Sequence, residues 1–443
     1  MTGIRDDEVS DNHLLHMLQK YLKAHPSDKL GSIYYCGAQT IRQPGSKSAA
    51  FVLSNNEHST IFGTNCCHSS WACPRCTANT MAKYGARIAN VIDALSTWYK
   101  QSAFMVTFTI PHSRKLRAET VFKILQLTWR KFVRAGNRGK YARADRGGRM
   151  LGADPYGLLR QELGIKHNVR VFEFTWSEKN GWHPHIHALF WVPNANFSKV
   201  LDYADRLNDR WWNCAKQASV EVLSQIYDGD KIATQSRVEE FFADWRKNPK
   251  TGHRSVYFST DENGKLTTQK SSYYISGWTG EMEVTSGFTK LGRNGHFSPY
   301  QLLQKANENP NERDKYLKLF VEYAEATRGH RRFHFSKSGL NALVAKWRLT
   351  QTYMEQQKKK FTERDAAPYH VVCWFTAEQW SQLYLLNLQS STCIISQILK
   401  LARLPNGNEL ITQLVAQYDI DISKNKTHRD ISLIESIFNP NAA

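Results

Sequence analysis

The chain has 443 residues, 41% hydrophobic, 12% aromatic and 22% charged, a globular composition that excludes disorder throughout. Lys and Arg (59) outnumber Asp and Glu (40), and the formal charge of +19 favours a polyanionic partner, nucleic acid first, over an anion-repelling or membrane-buried role. The amino terminus lacks a basic-then-apolar leader, and the best apolar run, Leu383 to Leu404, is broken by Asn387, Gln389, Gln397 and Lys400. A cytoplasmic protein without a membrane partner is therefore expected, with two or three packed units for a chain of this length.

In chain order, Leu14, Leu15, Leu18, Tyr21 and Leu22 fall at helical spacing over Asp11 to Ala24, and Pro26 ends that helix. A Cys-Gly step at Cys36-Gly37 and a Ser-rich stretch precede four cysteines between Cys66 and Cys76. Within them, Cys73-Pro74-Arg75-Cys76 is a Cys-x-x-Cys knuckle, whose tight turn lets two thiolates share one tetrahedral ion. Eight cysteines in a chain this long, half of them clustered, point to a zinc site in a reducing compartment rather than a disulfide framework. A helix follows over Thr80 to Lys100, then a strand over Ala103 to Ile110, a helix over Val121 to Arg134 and a basic loop from Ala135 to Arg149.

Two β-type runs come next, Val169 to Trp176 and Trp182 to Val192, joined by Ser177 to Gly181 as a hairpin. The second run contains Trp182-His183-Pro184-His185-Ile186-His187. Side chains alternate along a strand, so His185 and His187 share a face while Ile186 takes the other. With the five-residue connection setting the register, Trp176 opposes Trp182 and Glu173 opposes His185, which makes Glu173 a third candidate ligand. Two imidazoles and a carboxylate suit Mn²⁺ or Mg²⁺ with positions left for phosphate oxygens. His183 is set aside as a ligand because Pro184 interrupts its strand. Further on, a helix is expected around Lys199 to Lys216, a polar region up to Lys270, and mainly helix beyond Pro299, with a last unit from His370 to Phe438.

These motifs resemble the HUH endonucleases, and among them the replication initiators (Rep proteins) of small rolling-circle plasmids and related phages. Thr107 to His112 is similar to the family's first motif and Glu173 to Phe190 to its metal-binding second motif. Lys290 to Arg293, Ser298 to Leu303 and Phe320 to Leu340 also match. The resemblance implies an α+β fold, a palm-like antiparallel sheet flanked by helices, over about 101–305. It would follow an N-terminal helix and cysteine-rich zinc-binding unit at 1–100 and precede a mainly helical region at 306–443. It also implies cleavage of single-stranded origin DNA through a 5′-phosphotyrosine.

Ser271 to Trp278 resembles the third motif, which makes Tyr274 the nucleophile, with Tyr273 as the alternative. Gly277 stands where the family has lysine. A second cleavage needs another tyrosine or a glutamate, for which Glu281 and Glu283 are candidates. The resemblance adds Cys67 and Cys36 to Cys73 and Cys76 as a four-thiolate zinc set, with Cys66 or His68 able to replace either. DNA contacts are expected from Arg138 to Arg149, Lys290, Arg293 and the group Arg328, Arg331 and Arg332. There is no Gly-x-x-x-x-Gly-Lys-Ser/Thr loop, so a host helicase is the expected partner for unwinding. A transposase or relaxase with the same chemistry, or a non-catalytic zinc-containing DNA-binding regulator, is the alternative.

Overall fold

In the computed structural model the described residues are 7–41, 48–138, 160, 162–226, 231–247, 255–260, 263–266, 295–336, 340, 345–346, 369–423 and 425. The order begins with α1 (Asp7–Ala24), α2 (Gly31–Tyr34), β1 (Ala49–Ser54), β2 (Ser59–Phe62), α3 (Pro74–Tyr99), β3 (Gln101–Thr109) and α4 (Ala118–Arg138). It continues with β4 (Asn168–Ser177), β5 (Gly181–Pro193), a 3-10 stretch (Asn194–Tyr203), α5 (Ala204–Leu223), α6 (Lys231–Lys247), β6 (Val256–Phe258) and β7 (His296–Phe297). Last come α7 (Pro299–Glu308), α8 (Arg313–Thr327), β8 (Phe333–Phe335), β9 (His370–Thr376), α9 (Ala377–Gln389), α10 (Ile394–Leu401) and α11 (Gly407–Ala416). The fold is mixed, with antiparallel sheets flanked by helices. No helix among the described residues is long and apolar enough to cross a membrane.

The chain divides into two compact units, one of Met1–Thr80, Leu302–Ala324 and Lys358–Ala443, the other of Met81–Gln301 and Glu325–Gln357. In the first, three strands run in the order β2-β1-β9. The sequence reading had no strand near residue 370, yet His370 to Thr376 is β-branched and aromatic and pairs antiparallel with β1. One face of this sheet, with Ala50, Val52, Ile61, Cys373 and Phe375, forms a core with Trp380, Leu383, Ile394, Ile398, Ile411 and Val415. Thr376 caps α9 by accepting from the Gln379 backbone N–H while the Gln379 side chain accepts from the Thr376 N–H.

The second unit is built on a six-stranded sheet, β6-β3-β5-β4-β7 with β8 also pairing β4. Strict alternation divides its side chains. Even-numbered Phe108, Phe172 and Phe174 meet Trp129 and Phe132 of α4, Trp211 of α5 and Phe122 of α4. Odd-numbered Ala103, Met105, Val169, Val171, Leu189 and Trp191 pack with Ile88, Val91 and Leu95 of α3. That second core covers only part of the odd face. Further along the same strands the odd positions turn polar: Thr107, Thr109, Glu173, Thr175, His183, His185 and His187.

Differences from the expected elements are local. Helix α3 starts at Pro74, not Thr80, because Pro at the first position is pre-organised for a helix, and so Cys76 lies in its first turn. The region taken as polar before Lys270 contains α6 and β6, held by Val238, Phe242 and Val256, which are buried. β5 runs unbroken through Pro184, which lies just past the last β3 pairing, Thr109 with His185, where the strand has a ladder neighbour on one side only.

Candidate metal centres

The first centre sits on the β4-β5 hairpin. Gly181 closes it at φ 72°, and a Cβ there would stand 2.7 Å from the Arg114 Cα, so glycine is required twice over. Asn180 donates its backbone N–H to the Ser177 hydroxyl at 3.2 Å within the turn. The pairing is the expected one, Trp176 opposite Trp182 and Glu173 opposite His185. Glu173 Oε2 lies 3.3 Å from His185 Nε2 and 3.2 Å from His187 Nε2. Their ligand atoms fall within 4.8 Å of one another, and the rings are nearly perpendicular at 85°.

Each imidazole is oriented through its other nitrogen. Thr107 Oγ1, directly across β3 from His187, lies 2.9 Å from His187 Nδ1, and His185 Nδ1 lies 3.4 Å from the His183 carbonyl. Such outer contacts fix the ring so that Nε2 faces the ligand position. Side-chain exposures of 11%, 12% and 15% for His185, His187 and Glu173 leave the group recessed but reachable. Three ligands leave coordination positions for other oxygens, and their spacing fits one divalent ion.

Three further histidines lie beside this group. His183 shares the face of His185 and His187, its ring centroid 5.2 Å from that of His185. His112 stacks on His183 at 4.6 Å and 13°, and donates its Nδ1–H to the Ile110 carbonyl at 3.1 Å. His296 lies on β7 with its ring 6.4 Å from His183. Burial pushes His112 down to about 4, and burial with neighbouring imidazoles holds His183 well below the usual histidine range. The parity of 183, 185 and 187 carried the signal for His183, and His112 closes the stretch that resembles the family's first motif; nothing local marked His296.

The second centre is closed. Cys36, Cys67, Cys73 and Cys76 bring their sulfurs within 4.8 Å of one another, with Cys36 Sγ 3.5 Å from Cys76 Sγ and 3.7 Å from Cys73 Sγ. A tetrahedron with metal–sulfur bonds of about 2.3 Å has sulfur–sulfur edges of about 3.8 Å, so four thiolates around one ion fit this spacing. Cys66 and His68 are outside the set; the His68 side chain is exposed. Ser69 shapes the knuckle, its hydroxyl accepting from the N–H groups of Trp71 and Ala72. Hydrogen bonds from neighbouring thiols pull Cys76 and Cys36 down, while burial pushes Cys73 up; four ionised thiols side by side need a cation.

Of the other expected residues, Arg328 and Arg331 are exposed, and Arg332 is half-buried with its carbonyl accepting from the Phe172 N–H at 3.1 Å. Tyr273, Tyr274, Glu281, Glu283, Lys290 and Arg293 lie outside the described residues, as do positions 139–149 of the basic loop.

Among the described residues, a Glu-His-His group on an antiparallel sheet and a separate four-cysteine group make two metal-ready sites, one open and one closed. Compared with known proteins, the chain is 26% identical over 313 residues to a protein named Protein rep from Streptomyces lividans, covering 63% of this chain and 64% of that one. It is also 26% identical over 225 residues to a Neomycin resistance protein from Streptomyces cyanogenus, covering 46% of this chain and 49% of the relative. The chain thus spans less than two thirds of the length of these relatives. No family model matches the chain, and no solved structure matches it.

Proposed function

We propose that this protein is a rolling-circle replication initiator of the HUH endonuclease type, which nicks and rejoins single-stranded origin DNA through a 5′-phosphotyrosine. The observation that carries the reading is the convergence of Glu173, His185 and His187 on one recessed sheet face. Similarity to a Rep-named protein and the excess positive charge support it. In this reading, 101–305 is the catalytic segment and its sheet the palm.

Mn²⁺ or Mg²⁺ held by the three residues would polarise the scissile phosphodiester. Glu173 balances the ion's charge, and Thr107 keeps the His187 Nε2 lone pair directed at it. Tyr274, with Tyr273 as alternative, attacks phosphorus: its O–P bond forms as the bond to the departing 3′-oxygen breaks, and the phenol proton is released. The energy of the broken diester is kept in the new one, so the 3′-hydroxyl can later reverse the step and rejoin strands. Glu283 is the residue assigned to the second cleavage. Zn²⁺ in the four-thiolate site would hold the cysteine-bearing unit together without taking part. Lys290, Arg293, Arg331 and Arg332 are assigned to DNA, and a host helicase supplies unwinding.

Incubating the protein with Mn²⁺ and labelled single-stranded DNA from its own replicon should give a covalent adduct at the 5′ end on a denaturing gel. Tyr274→Phe should abolish the adduct with folding retained. An adduct that survives Tyr274→Phe but not Tyr273→Phe moves the nucleophile by one residue; none in the wild-type protein refutes the nicking function.

A further inference from the structure

We propose that Tyr257 is a nucleobase-stacking residue, which seats single-stranded DNA on the sheet face bearing Glu173, His185 and His187; this rests on the function proposed above. β6 is the edge strand of that sheet, and Tyr257 pairs directly with Thr107, which in turn pairs directly with His187. Residues directly opposite in an antiparallel pair put their side chains on the same face. The contact between Thr107 Oγ1 and His187 Nδ1 shows this for one step, and the register carries it to the next. Tyr257, Thr107 and His187 therefore form one row across the face that holds the metal-ready group.

Tyr257 is also 42% exposed, whereas the other described aromatic residues on the strands of this sheet are buried or half-buried. Core packing takes up those rings, while that of Tyr257 stays open to solvent on the face of the metal-ready group. A tyrosine ring is large, stiff and wettable at one end, and every nucleobase has a π-face to lay against it.

Distance separates stacking from chemistry. Two interstrand steps place the Tyr257 Cα about 10 Å from that of His187. Glu173 is on β4, one strand further away, so the candidate ligand position lies on the far side of His187 from β6. A phosphate held there is beyond direct attack by the Tyr257 oxygen, while a base flanking it along the strand is within reach of the ring. The net charge of +19 supplies general attraction for the backbone, and Tyr257 adds a contact that does not depend on charge.

The test measures binding of a fluorescent oligodeoxythymidylate to the full chain by anisotropy with no Mn²⁺ or Mg²⁺ added and no chelator present, across a salt series. Tyr257→Phe should bind within about twofold of the wild type. Tyr257→Ala should bind about five- to hundredfold more weakly, the range of losing one base–aromatic stack. Its salt dependence should match the wild type, because no phosphate contact is removed. Thermal unfolding should be unchanged in both variants. Equal affinity for Tyr257→Ala and wild type, or a loss in Tyr257→Phe as large as in Tyr257→Ala, overturns the stacking role. A protein that loses binding only in Tyr257→Ala and yet forms no covalent adduct would remove the nicking function and uphold the DNA-seating one.

Discussion

The two metal-ready groups of this chain differ in how completely the protein surrounds them. At the four-cysteine group, Cys36, Cys73 and Cys76 are buried, all four sulfurs converge, and the ligand count of a tetrahedral ion is filled by the chain itself. At the hairpin, three side chains converge from one side only, on the stretch of sheet face that α3 leaves uncovered. A closed ligand set holds chain segments together; an open one leaves coordination for a substrate oxygen. The ligand types follow the same division: soft thiolates suit an ion enclosed by the chain, and imidazole with carboxylate suits an ion left with open positions.

The sharpest way to break this comparison is Cys76→Ser. It should cost the cysteine-bearing unit its cooperative folding, since apparent binding energies of structural zinc are on the order of 10 kcal/mol or more. Zinc content by atomic absorption and thermal unfolding both read it. A variant that keeps its unfolding transition would show that this group is not structural.

A smaller and more local effect is expected at the open group. Thr107→Val keeps shape and strand propensity but removes the contact to His187 Nδ1. Mn²⁺ affinity should fall about 10- to 100-fold, the usual effect of losing an outer-shell partner, with the unfolding temperature nearly unchanged. Unaltered Mn²⁺ affinity by isothermal titration would mean that His187 is oriented some other way.

The mildest effect concerns acid. Burial holds His16 at about 4 in the folded chain against an ordinary value of 6.5. The unfolded chain therefore binds more protons between those values, and the stability that His16 contributes is complete above pH 6.5 and is lost as pH falls toward 4. The unfolding temperature should drop between pH 7 and pH 5, and drop less in His16→Gln. An equal drop in that variant would remove His16 as a cause.

The hairpin centre was legible because everything it needs is local. A period of two, a five-residue connection and a glycine at its end suffice to set Glu173 opposite His185. Cys73 and Cys76 were legible for the same reason, a four-residue knuckle. His183 lies outside the converging ligand group, as expected, but not for the reason expected: β5 runs through Pro184, because whether a proline harms a strand depends on how many neighbours that strand has at that point, and this is a property of the sheet. The strand β9 was missed because its partner is β1, more than 300 positions earlier in the sequence.

Amino-acid order by itself thus determined Glu173, His185, His187, Cys73 and Cys76 as candidate ligands, through alternation along two strands and the spacing of a short turn. Tertiary structure alone decided what surrounds them. Thr107 reaches His187 across 80 residues of sequence, His112 stacks on His183, Cys36 joins Cys76, and Tyr257 enters the row of His187. These partners follow from the strand order β6-β3-β5-β4 and from the return of distant segments. Local periodicity carries no information about such closures; they are chosen by which apolar faces can be buried together.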